Sequence, residues 1–284
     1  MIQDIYPKIF KNQYEIDVKP EANDKVLAFK NDQILIKKGM PLDDYLPRIL
    51  NFNVEQEFIY LFAIDEERYF LAKDVTEEPE SFSFVGIRSI RDERPLPNDQ
   101  MMPIYTGKHL ADWYRDMKYC GRCGSKMIHA TKERAMKCTA CEYRAYPRIM
   151  PAVIVGVLNQ DKILLTKYKA GFRHFALIAG FTEIGETVEE TVQREVMEEA
   201  GLKVKNIRYY KSQPWGIAND ILLGFFCEVD GDATIHMDEN ELKLAKWMSR
   251  DEVILQPDGY SLTNEMMKLF KDGEISAYEM GNKE

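Results

Sequence analysis

The sequence has no long hydrophobic run. No apolar stretch approaches the roughly 20 residues of a transmembrane helix, and the N-terminal segment MIQDIYPKIFKNQYEIDV lacks the uninterrupted apolar core of a secretory signal peptide. The content of 45% hydrophobic and 30% charged residues is typical of a soluble globular protein. We therefore predict a cytoplasmic location.

Positive charge is also in deficit. The chain has 38 Lys and Arg side chains against 47 Asp and Glu, which gives a net charge of −9. General nucleic-acid-binding proteins gain affinity by neutralising phosphates with basic side chains, so this balance argues against that class. A group of carboxylates that holds cations fits the composition better.

Cysteine is scarce, with five residues in 284. Four of them form two CxxC pairs separated by fourteen residues, namely Cys120, Cys123, Cys138 and Cys141. In a cytosolic chain this spacing favours a tetrahedral four-thiolate zinc site over disulfides. Sulfur would fill every position on the metal, so we expect this zinc to be structural and not catalytic. Cys227, in the run ILLGFFCEV, is interpreted as a buried strand residue.

The length suits two or three folding units. Residues 1–118 are predicted to form a β-rich N-terminal domain that ends in a linker helix. KVLAFKNDQILIKK and EFIYLFAIDEERYFLAK resemble hairpins, RDERPLPNDQMMP resembles a connector, and TGKHLADWYRDMKYC has helical spacing. Residues 119–146 would form the zinc ribbon, and residues 147–284 alternate strands and helices. The predicted fold class is α/β (α+β).

The segment AGFTEIGETVEETVQREVMEEAGL predicts a helix over about residues 187–200. Thr187 and Glu190 form a capping-box pattern at its start, and Gly201 can end it. One face of this helix is apolar and is expected to pack on the core. It consists of Val188, Val192 and Val196.

The helix carries several glutamates, and runs of glutamates usually form a solvent-exposed acidic face. Glu195 and Glu199, however, project only about 20° to either side of Val188, and Glu198 projects about 80° away. We therefore predict that these carboxylates continue the buried stripe.

Buried carboxylates four residues apart repel one another, and the desolvation of each costs several kcal/mol. Pairing with a hard divalent cation, Mg²⁺ or Mn²⁺, removes this conflict. The chemistry so indicated is phosphoryl transfer to water. Arg194, on the neighbouring face, is either an exposed charge or a clamp on the glutamates and on the loop of Gly180 and Gly185, and we favour the clamp.

These residues fill the pattern known as the Nudix box. Its fixed positions are occupied by Gly180, Glu186, Arg194, Glu195, Val196, Glu198, Glu199, Gly201 and Leu202. The chain thus resembles the Nudix hydrolases, metal-dependent enzymes that split a nucleoside diphosphate linked to another group. The order of β-rich region, four-cysteine ribbon, box and SQPW is similar to that of the NADH pyrophosphatases. This resemblance implies an αβα Nudix fold, commonly as a homodimer, that hydrolyses NAD(H) to NMN(H) and AMP. Some members also remove NAD caps from RNA.

The resemblance also implies roles for individual residues. Metal ligands would be Glu195, Glu199, Glu241 and the backbone carbonyl of Ala179. The catalytic set would be Arg194, Glu195, Glu198, Glu199 and Glu241, with Glu198 and Glu241 as alternative general bases. Tyr146 and Phe181 match aromatic residues that hold adenine, and Glu133 and Arg91 match substrate-contacting positions.

The resemblance continues through Gln213, Pro214 and Trp215 and then breaks. The family pattern goes on with Pro-Phe-Pro, any residue and Ser, whereas this chain has Gly216, Ile217, Ala218, Asn219 and Asp220. We expect this segment to form the wall of the nucleotide site, although Trp215 read alone could equally cap a core edge. The altered residues leave open a different dinucleotide substrate, such as ADP-ribose or a dinucleoside polyphosphate. A non-catalytic nucleotide sensor is a third alternative.

Overall fold

The computed structural model describes residues 1–39, 44–93 and 96–275. They form two compact units. The N-terminal unit comprises Gln3–Arg148 and Gly216–Asn219, and the C-terminal unit comprises Met1–Ile2, Ile149–Trp215 and 220–275. None of the described helices is long and apolar enough to cross a membrane.

The N-terminal unit begins with short strands in two sheets. These are β1 (Phe10–Lys11), β2 (Lys25–Leu27), β3 (Phe29–Lys30), β4 (Gln33–Lys37), β5 (Phe58–Ile64), β6 (Glu67–Ala72) and β7 (Phe82–Gly86). Their orders are β1-β5-β6-β2 and β3-β4-β7. The antiparallel pairs β3–β4 and β5–β6 confirm both predicted hairpins. A short 3₁₀ helix, Ile49–Asn51, lies between β4 and β5.

Two helices follow these strands, α1 (Ile87–Glu93) and α2 (Asn98–Asp116). The predicted connector at residues 91–103 is therefore wrong over most of its length, although residues 94 and 95 lie outside the described part. Pro97 directly precedes α2, where a proline does not interrupt hydrogen bonding. Pro103 lies within the helix, and its neighbours Met101, Ile104 and Tyr105 are buried. The free energy gained by burying this apolar face exceeds the cost of the backbone hydrogen bond that Pro103 cannot donate.

The ribbon completes the N-terminal unit with β8 (Met127–His129), β9 (Met136–Cys138) and β10 (Arg144–Ala145), in the order β10-β9-β8. The turn between β8 and β9 is hydrogen-bonded to other residues of the same unit. Arg134 donates to the Leu61 carbonyl at 2.7 Å, and the Tyr14 hydroxyl donates to the Ala130 carbonyl at 2.7 Å.

The C-terminal unit is built on a six-stranded mixed sheet. Its elements are β11 (Met150–Asn159), β12 (Lys162–Tyr168), β13 (Ile178–Phe181), α3 (Val188–Ala200), β14 (Val204–Trp215), β15 (Asp220–Val229), β16 (Leu242–Ser249), a 3₁₀ helix (Arg250–Glu252) and α4 (Leu262–Lys271). The order is β14-β15-β11-β12-β16, with β13 beside β11. Strands β11 and β15 are parallel, and the other pairs are antiparallel.

Each face of this sheet carries one helix. Val192 and Val196 of α3 pack with Val155 and Phe225 in one apolar layer. Met266 and Phe270 of α4 belong to the layer on the other face. The two layers confirm the predicted αβα sandwich, and they leave the loop before α3 and the outer turns of α3 at the edge of the core.

Candidate active site

Helix α3 begins and ends at the predicted residues. The Thr187 hydroxyl accepts the Glu190 amide at 3.2 Å, and the Glu190 carboxylate accepts the Thr187 amide at 2.8 Å. Gly201 adopts a φ of 68° after the last turn, a backbone conformation that favours glycine. Both ends of the helix are therefore fixed, and its glutamates project from a stable frame.

The glutamates of α3 differ in burial. Glu199 is only 3% exposed and Glu195 is half-buried, as predicted. Glu198 is exposed over 59% of its side chain, so the prediction that it continues the buried stripe is wrong. It lies at the margin of the apolar face, where its carboxylate can turn outward and accept a hydrogen bond from Arg194 at 2.9 Å.

Arg194 connects the helix to the preceding loop. It donates to Glu186 at 2.6 and 3.0 Å, to Glu195 at 2.7 Å, to Glu198 at 2.9 Å and to the Phe181 carbonyl at 2.8 Å. The bonds from Arg194 lower the pKa of Glu186 to about 2. These contacts confirm that Arg194 is a clamp and not a free surface charge.

Glu199 has an uncompensated carboxylate. Its Oε2 atom is buried without a hydrogen-bond partner among the described residues. Burial raises the pKa of Glu199 to about 8, against the hydrogen bond from the Ala179 amide and with the charges of Glu195 and Glu241. A buried carboxylate carries a large desolvation cost, and pairing with a cation offsets that cost. The site therefore fits the divalent metal that its oxygen donors favour.

Strand β13 forms the opposite wall of this site. An ideal Cβ atom at Gly180 would lie 1.9–2.2 Å from the carboxylate atoms of Glu195, so only glycine leaves room for that group. Ala179 donates its amide to the Glu199 carboxylate. The amide and carbonyl of a strand residue point to the same edge. The Ala179 carbonyl therefore lies along the edge of β13 that faces Glu199.

Glu241 lies in the turn before β16 and is exposed. Its backbone carbonyl accepts the Lys169 amide at 3.0 Å, which holds this turn to the end of β12. Its charge contributes to the raised pKa of both Glu195 and Glu199. The structure thus places Glu241 close enough to Glu195 and Glu199 for their charges to interact, and it joins Ala179 to Glu199 by a hydrogen bond, although Ala179 and Glu241 are distant from helix α3 in the sequence.

The SQPW segment ends β14. Gln213 is fully buried, donates to the Tyr260 carbonyl at 2.6 Å and accepts the Leu262 amide at 2.6 Å. Its amide group thereby fixes the start of α4. Trp215 packs against the apolar layer on the α4 side, which supports the core-edge interpretation of this residue. Pro214 is exposed.

The residues after Trp215 show why the family pattern cannot continue here. Gly216–Asn219 form part of the N-terminal unit. A Cβ atom at Gly216 would lie 2.1 Å from the Tyr105 carbonyl oxygen, which excludes the proline of the family pattern. Asp220 is 6% exposed, its Oδ1 atom has no partner among the described residues, and burial raises its pKa to about 6.

The remaining predicted substrate residues lie in different places. The Tyr146 ring is exposed, and its hydroxyl donates at 3.1 Å to Glu133, which also accepts a bond from Arg144. Glu133 therefore orients Tyr146. Phe181 is exposed at the end of β13 in the C-terminal unit, and Arg91 lies in α1 of the N-terminal unit.

The four ribbon cysteines converge. Their sulfur atoms lie within 4.8 Å of one another, with separations of 3.7 Å for Cys120–Cys141 and 3.5 Å for Cys123–Cys138 and Cys123–Cys141. A tetrahedron with Zn–S bonds of about 2.3 Å has sulfur separations of about 3.8 Å. Hydrogen bonds from Ser125 lower the pKa of the Cys123 thiol to about 6, which favours the ligating thiolate. Cys227 is buried in β15, as predicted.

Sequence reasoning missed one residue of the candidate active site, Tyr168 at the end of β12. The charges of Glu199, Glu241 and Glu195 act on its phenol. The only sequence signal was an aromatic residue at the end of an apolar run, which is common in cores.

Family models match both the region that contains the carboxylate site and the four-cysteine ribbon. Residues 148–270 match the NUDIX domain, and residues 115–146 match the NADH pyrophosphatase zinc ribbon domain. The "NAD-capped RNA hydrolase NudC" of Escherichia coli (strain K12 / DH10B) and that of Shigella boydii are each 45% identical over 155 residues. Each match covers 53% of this chain and 59% of the relative, less than two thirds of its length.

Among solved structures, a NUDIX hydrolase from Nitrosomonas europaea aligns at 21% identity and a TM-score of 0.49, and the alignment covers 56% of this chain and 93% of that one. The two matched domains account for the carboxylate site and for the four-cysteine ribbon. The chain therefore contains a NUDIX domain and a zinc ribbon domain of the NADH pyrophosphatase type.

Proposed function

We propose that this protein is a metal-dependent pyrophosphatase that hydrolyses NAD(H) to NMN(H) and AMP. The main support for this proposal is the buried Glu199 carboxylate, which has an unpartnered oxygen among the described residues and lies on the same helix as Glu195. Arg194 clamps this helix to the glycine loop. The zinc ribbon of the NADH pyrophosphatase type and the relatives named for NAD-capped RNA favour NAD(H) among the dinucleotides.

Glu195, Glu199, Glu241 and the Ala179 carbonyl would hold the metal. All four offer oxygen, which suits Mg²⁺ and Mn²⁺. When bound, such a cation neutralises charge on the diphosphate and lowers the pKa of a coordinated water. We propose Mg²⁺ or Mn²⁺ as the cofactor in addition to the ribbon zinc.

The protein's own groups position the reactants and move the proton. Glu198 or Glu241 accepts the proton of the attacking water, whose oxygen forms a bond to one phosphorus atom. The bond from that phosphorus to the bridging oxygen breaks, and the leaving phosphate keeps the electron pair. Arg194 acts as a positioning residue, because its guanidinium is already occupied by carboxylates and the Phe181 carbonyl.

Substrate recognition is assigned to exposed aromatic and polar groups. Tyr146, oriented by Glu133, and Phe181 would stack on adenine, since exposed rings offer a face to a base. Arg91, in α1, matches a substrate-contacting position of the family and would contact the substrate. Pro214, Trp215 and the segment Gly216–Asp220 would line the remainder of the dinucleotide site.

A second candidate is a Nudix pyrophosphatase for a different dinucleotide, such as ADP-ribose or a dinucleoside polyphosphate. It is favoured by the close approach of Gly216 to Tyr105 and by the buried Asp220. Gly216 and Asp220 stand where the NADH pyrophosphatase pattern has other residues. The segment that would face the nicotinamide half of NAD(H) therefore differs from that pattern.

Further properties follow from the same resemblance. We propose that NAD-capped RNA is a second substrate, that two copies form a homodimer, and that the protein acts in the cytoplasm, where its thiols stay reduced. The proposed domains are 1–118, 119–146 and 147–284. Light scattering coupled to gel filtration would check the dimer.

One chromatographic experiment tests the function. Wild type, Glu199→Gln and the control Glu189→Gln, which alters an exposed glutamate of the same helix, would be incubated with NADH, NAD⁺, ADP-ribose, diadenosine polyphosphates and NAD-capped RNA in Mg²⁺ or Mn²⁺. With wild type and the control we expect NMN(H) and AMP from NADH and NAD⁺, and NMN with 5′-monophosphate RNA from capped RNA, whereas Glu199→Gln should release no products. Preferred cleavage of ADP-ribose would favour the second candidate. Tight nucleotide binding without any hydrolysis would indicate a sensor.

A further inference from the structure

Tyr168 is the last residue of β12 and stands beside the candidate active site. Strand β12 pairs with β16, where Tyr168 lies opposite Leu242, the residue after Glu241. The next amide along the chain, that of Lys169, donates to the Glu241 carbonyl at 3.0 Å. The backbone therefore fixes Tyr168 next to a proposed metal-binding carboxylate.

The alternation of β12 shows which face of the sheet Tyr168 occupies. Leu164 belongs to the apolar layer on the α3 side. The Lys167 ammonium lies 4.2 Å from the centre of the Phe175 ring, which belongs to the α4-side layer. The extra residue of the nearby bulge is on β16, so alternation along β12 is undisturbed. Tyr168 accordingly points to the α3 face, where the glutamates stand.

The Tyr168 phenol carries a hydrogen-bond donor and no charge. Its surroundings include the carboxylates of Glu199, Glu241 and Glu195. The group is thus a hydrogen-bond donor among anions. No hydrogen bond joins its hydroxyl to a described residue, and the buried Oε2 atom of Glu199 has no partner among those residues. The donor is therefore available to a ligand.

We propose that Tyr168 is a substrate-binding residue whose hydroxyl donates a hydrogen bond to a phosphate oxygen of the bound diphosphate. This inference rests on the proposed pyrophosphatase function. A phosphate oxygen is a strong acceptor that enters only with the substrate. A neutral donor suits this place, since a lysine or arginine there would compete with the metal for the same carboxylates.

The test measures binding and not turnover. Isothermal titration would give the Kd of α,β-methylene-ADP, which carries an uncleavable diphosphonate, for wild type, Tyr168→Phe and Tyr209→Phe in Mg²⁺. Tyr209 is an exposed tyrosine of β14 and serves as the matched control. A lost hydrogen bond to a charged phosphate predicts a Kd about tenfold or more higher for Tyr168→Phe. Tyr209→Phe should bind like wild type, and the melting temperatures should agree.

An unchanged Kd for Tyr168→Phe would overturn the proposal, and so would a wild type that does not bind the probe. A second titration with Mn²⁺ alone separates a different role. If Tyr168→Phe weakens Mn²⁺ binding as strongly as it weakens probe binding, Tyr168 positions the carboxylates and does not bind substrate. Because no reaction is needed, a wild type that fails to cleave NADH but shows the Kd difference would refute the proposed function alone.

Discussion

Arg194 and Glu186 form a two-point pair across the loop that precedes α3. The Nε and Nη2 atoms of Arg194 donate to the two carboxylate oxygens of Glu186 at 2.6 and 3.0 Å. The same guanidinium reaches Glu195 and the Phe181 carbonyl. A single planar cation therefore sets the distance between the helix and the glycine loop.

Arg194→Lys should uncouple activity from folding. Lysine keeps the charge but cannot form the fork to Glu186 while also reaching the Phe181 carbonyl. We expect kcat to fall by about 10²-fold, as for other misplaced catalytic groups, with a stability loss of about 1–2 kcal/mol. Steady-state kinetics and urea unfolding would measure both. An equal loss of activity in Arg208→Lys, on β14 of the same unit, would point to a general effect of replacing arginine.

Divalent metal should stabilise the wild type through Glu199. A cation that binds the folded state raises the free energy of unfolding by RT ln(1 + [M]/Kd). We expect the melting temperature to rise with Mg²⁺ or Mn²⁺ concentration and to return after EDTA treatment. Glu199→Gln removes a buried anion with an unpartnered oxygen. It should lose this dependence while melting without metal at or slightly above the wild-type temperature. A full metal response in that variant would contradict the assigned ligand.

Gly180→Ala should disable the site without unfolding the protein. The added methyl group would meet the Glu195 carboxylate, which is the flexible end of a side chain and can move aside. The displacement removes one proposed metal ligand, so we expect kcat/KM to fall at least about 10²-fold. Gly259→Ala is the matched control, since its Cβ atom would meet nothing within 4 Å. Kinetics and thermal melting of both variants would distinguish a local effect from a global one.

The helix and the ribbon were predictable because local rules fix them. The capping residues Thr187 and Gly201 define both ends of α3, and the 100° step per residue correctly separated Glu195 and Glu199 from the solvent-facing side. The CxxC spacing similarly determined which sulfurs meet. Periodicity did not locate Glu198, because the direction of a long side chain at the margin of a helix face depends on its partner, here Arg194.

Long-range packing determined what the sequence could not predict. Gln213 belongs to a motif associated with substrate, but its amide is occupied by Tyr260 and Leu262, residues almost fifty positions away. Tyr168 joins the glutamates only because β12 ends beside the turn of Glu241. The helix that contains Pro103 also depended on tertiary burial, against the preference of proline.

Removal of zinc should unfold the ribbon. Four thiolates whose sulfur atoms lie within 4.8 Å of one another repel unless a metal neutralises them. We expect one zinc per chain by atomic absorption, and loss of zinc and of cooperative melting in Cys138→Ser. Cys227→Ser, at a buried position outside the cluster, should keep its zinc, although it will be less stable. Retention of stoichiometric zinc by Cys138→Ser would contradict the four-cysteine site.

Asp220 should make the wild type less stable as the pH rises through the weakly acidic range. Burial raises its pKa from 3.8 to about 6 in the folded protein, so the folded state holds the proton more tightly than the unfolded state. The stabilisation is complete below about pH 4 and is lost as the pH rises through about 6, which amounts to about 3 kcal/mol. Asp220→Asn has no charge to desolvate. We therefore expect it to exceed the wild type in stability at pH 7.5 and to match it near pH 4.

Urea unfolding between these pH values would measure the difference, and Asp161→Asn, at an exposed turn, should follow the wild-type curve. A constant difference between wild type and Asp220→Asn at every pH would show that Asp220 is not the titrating group.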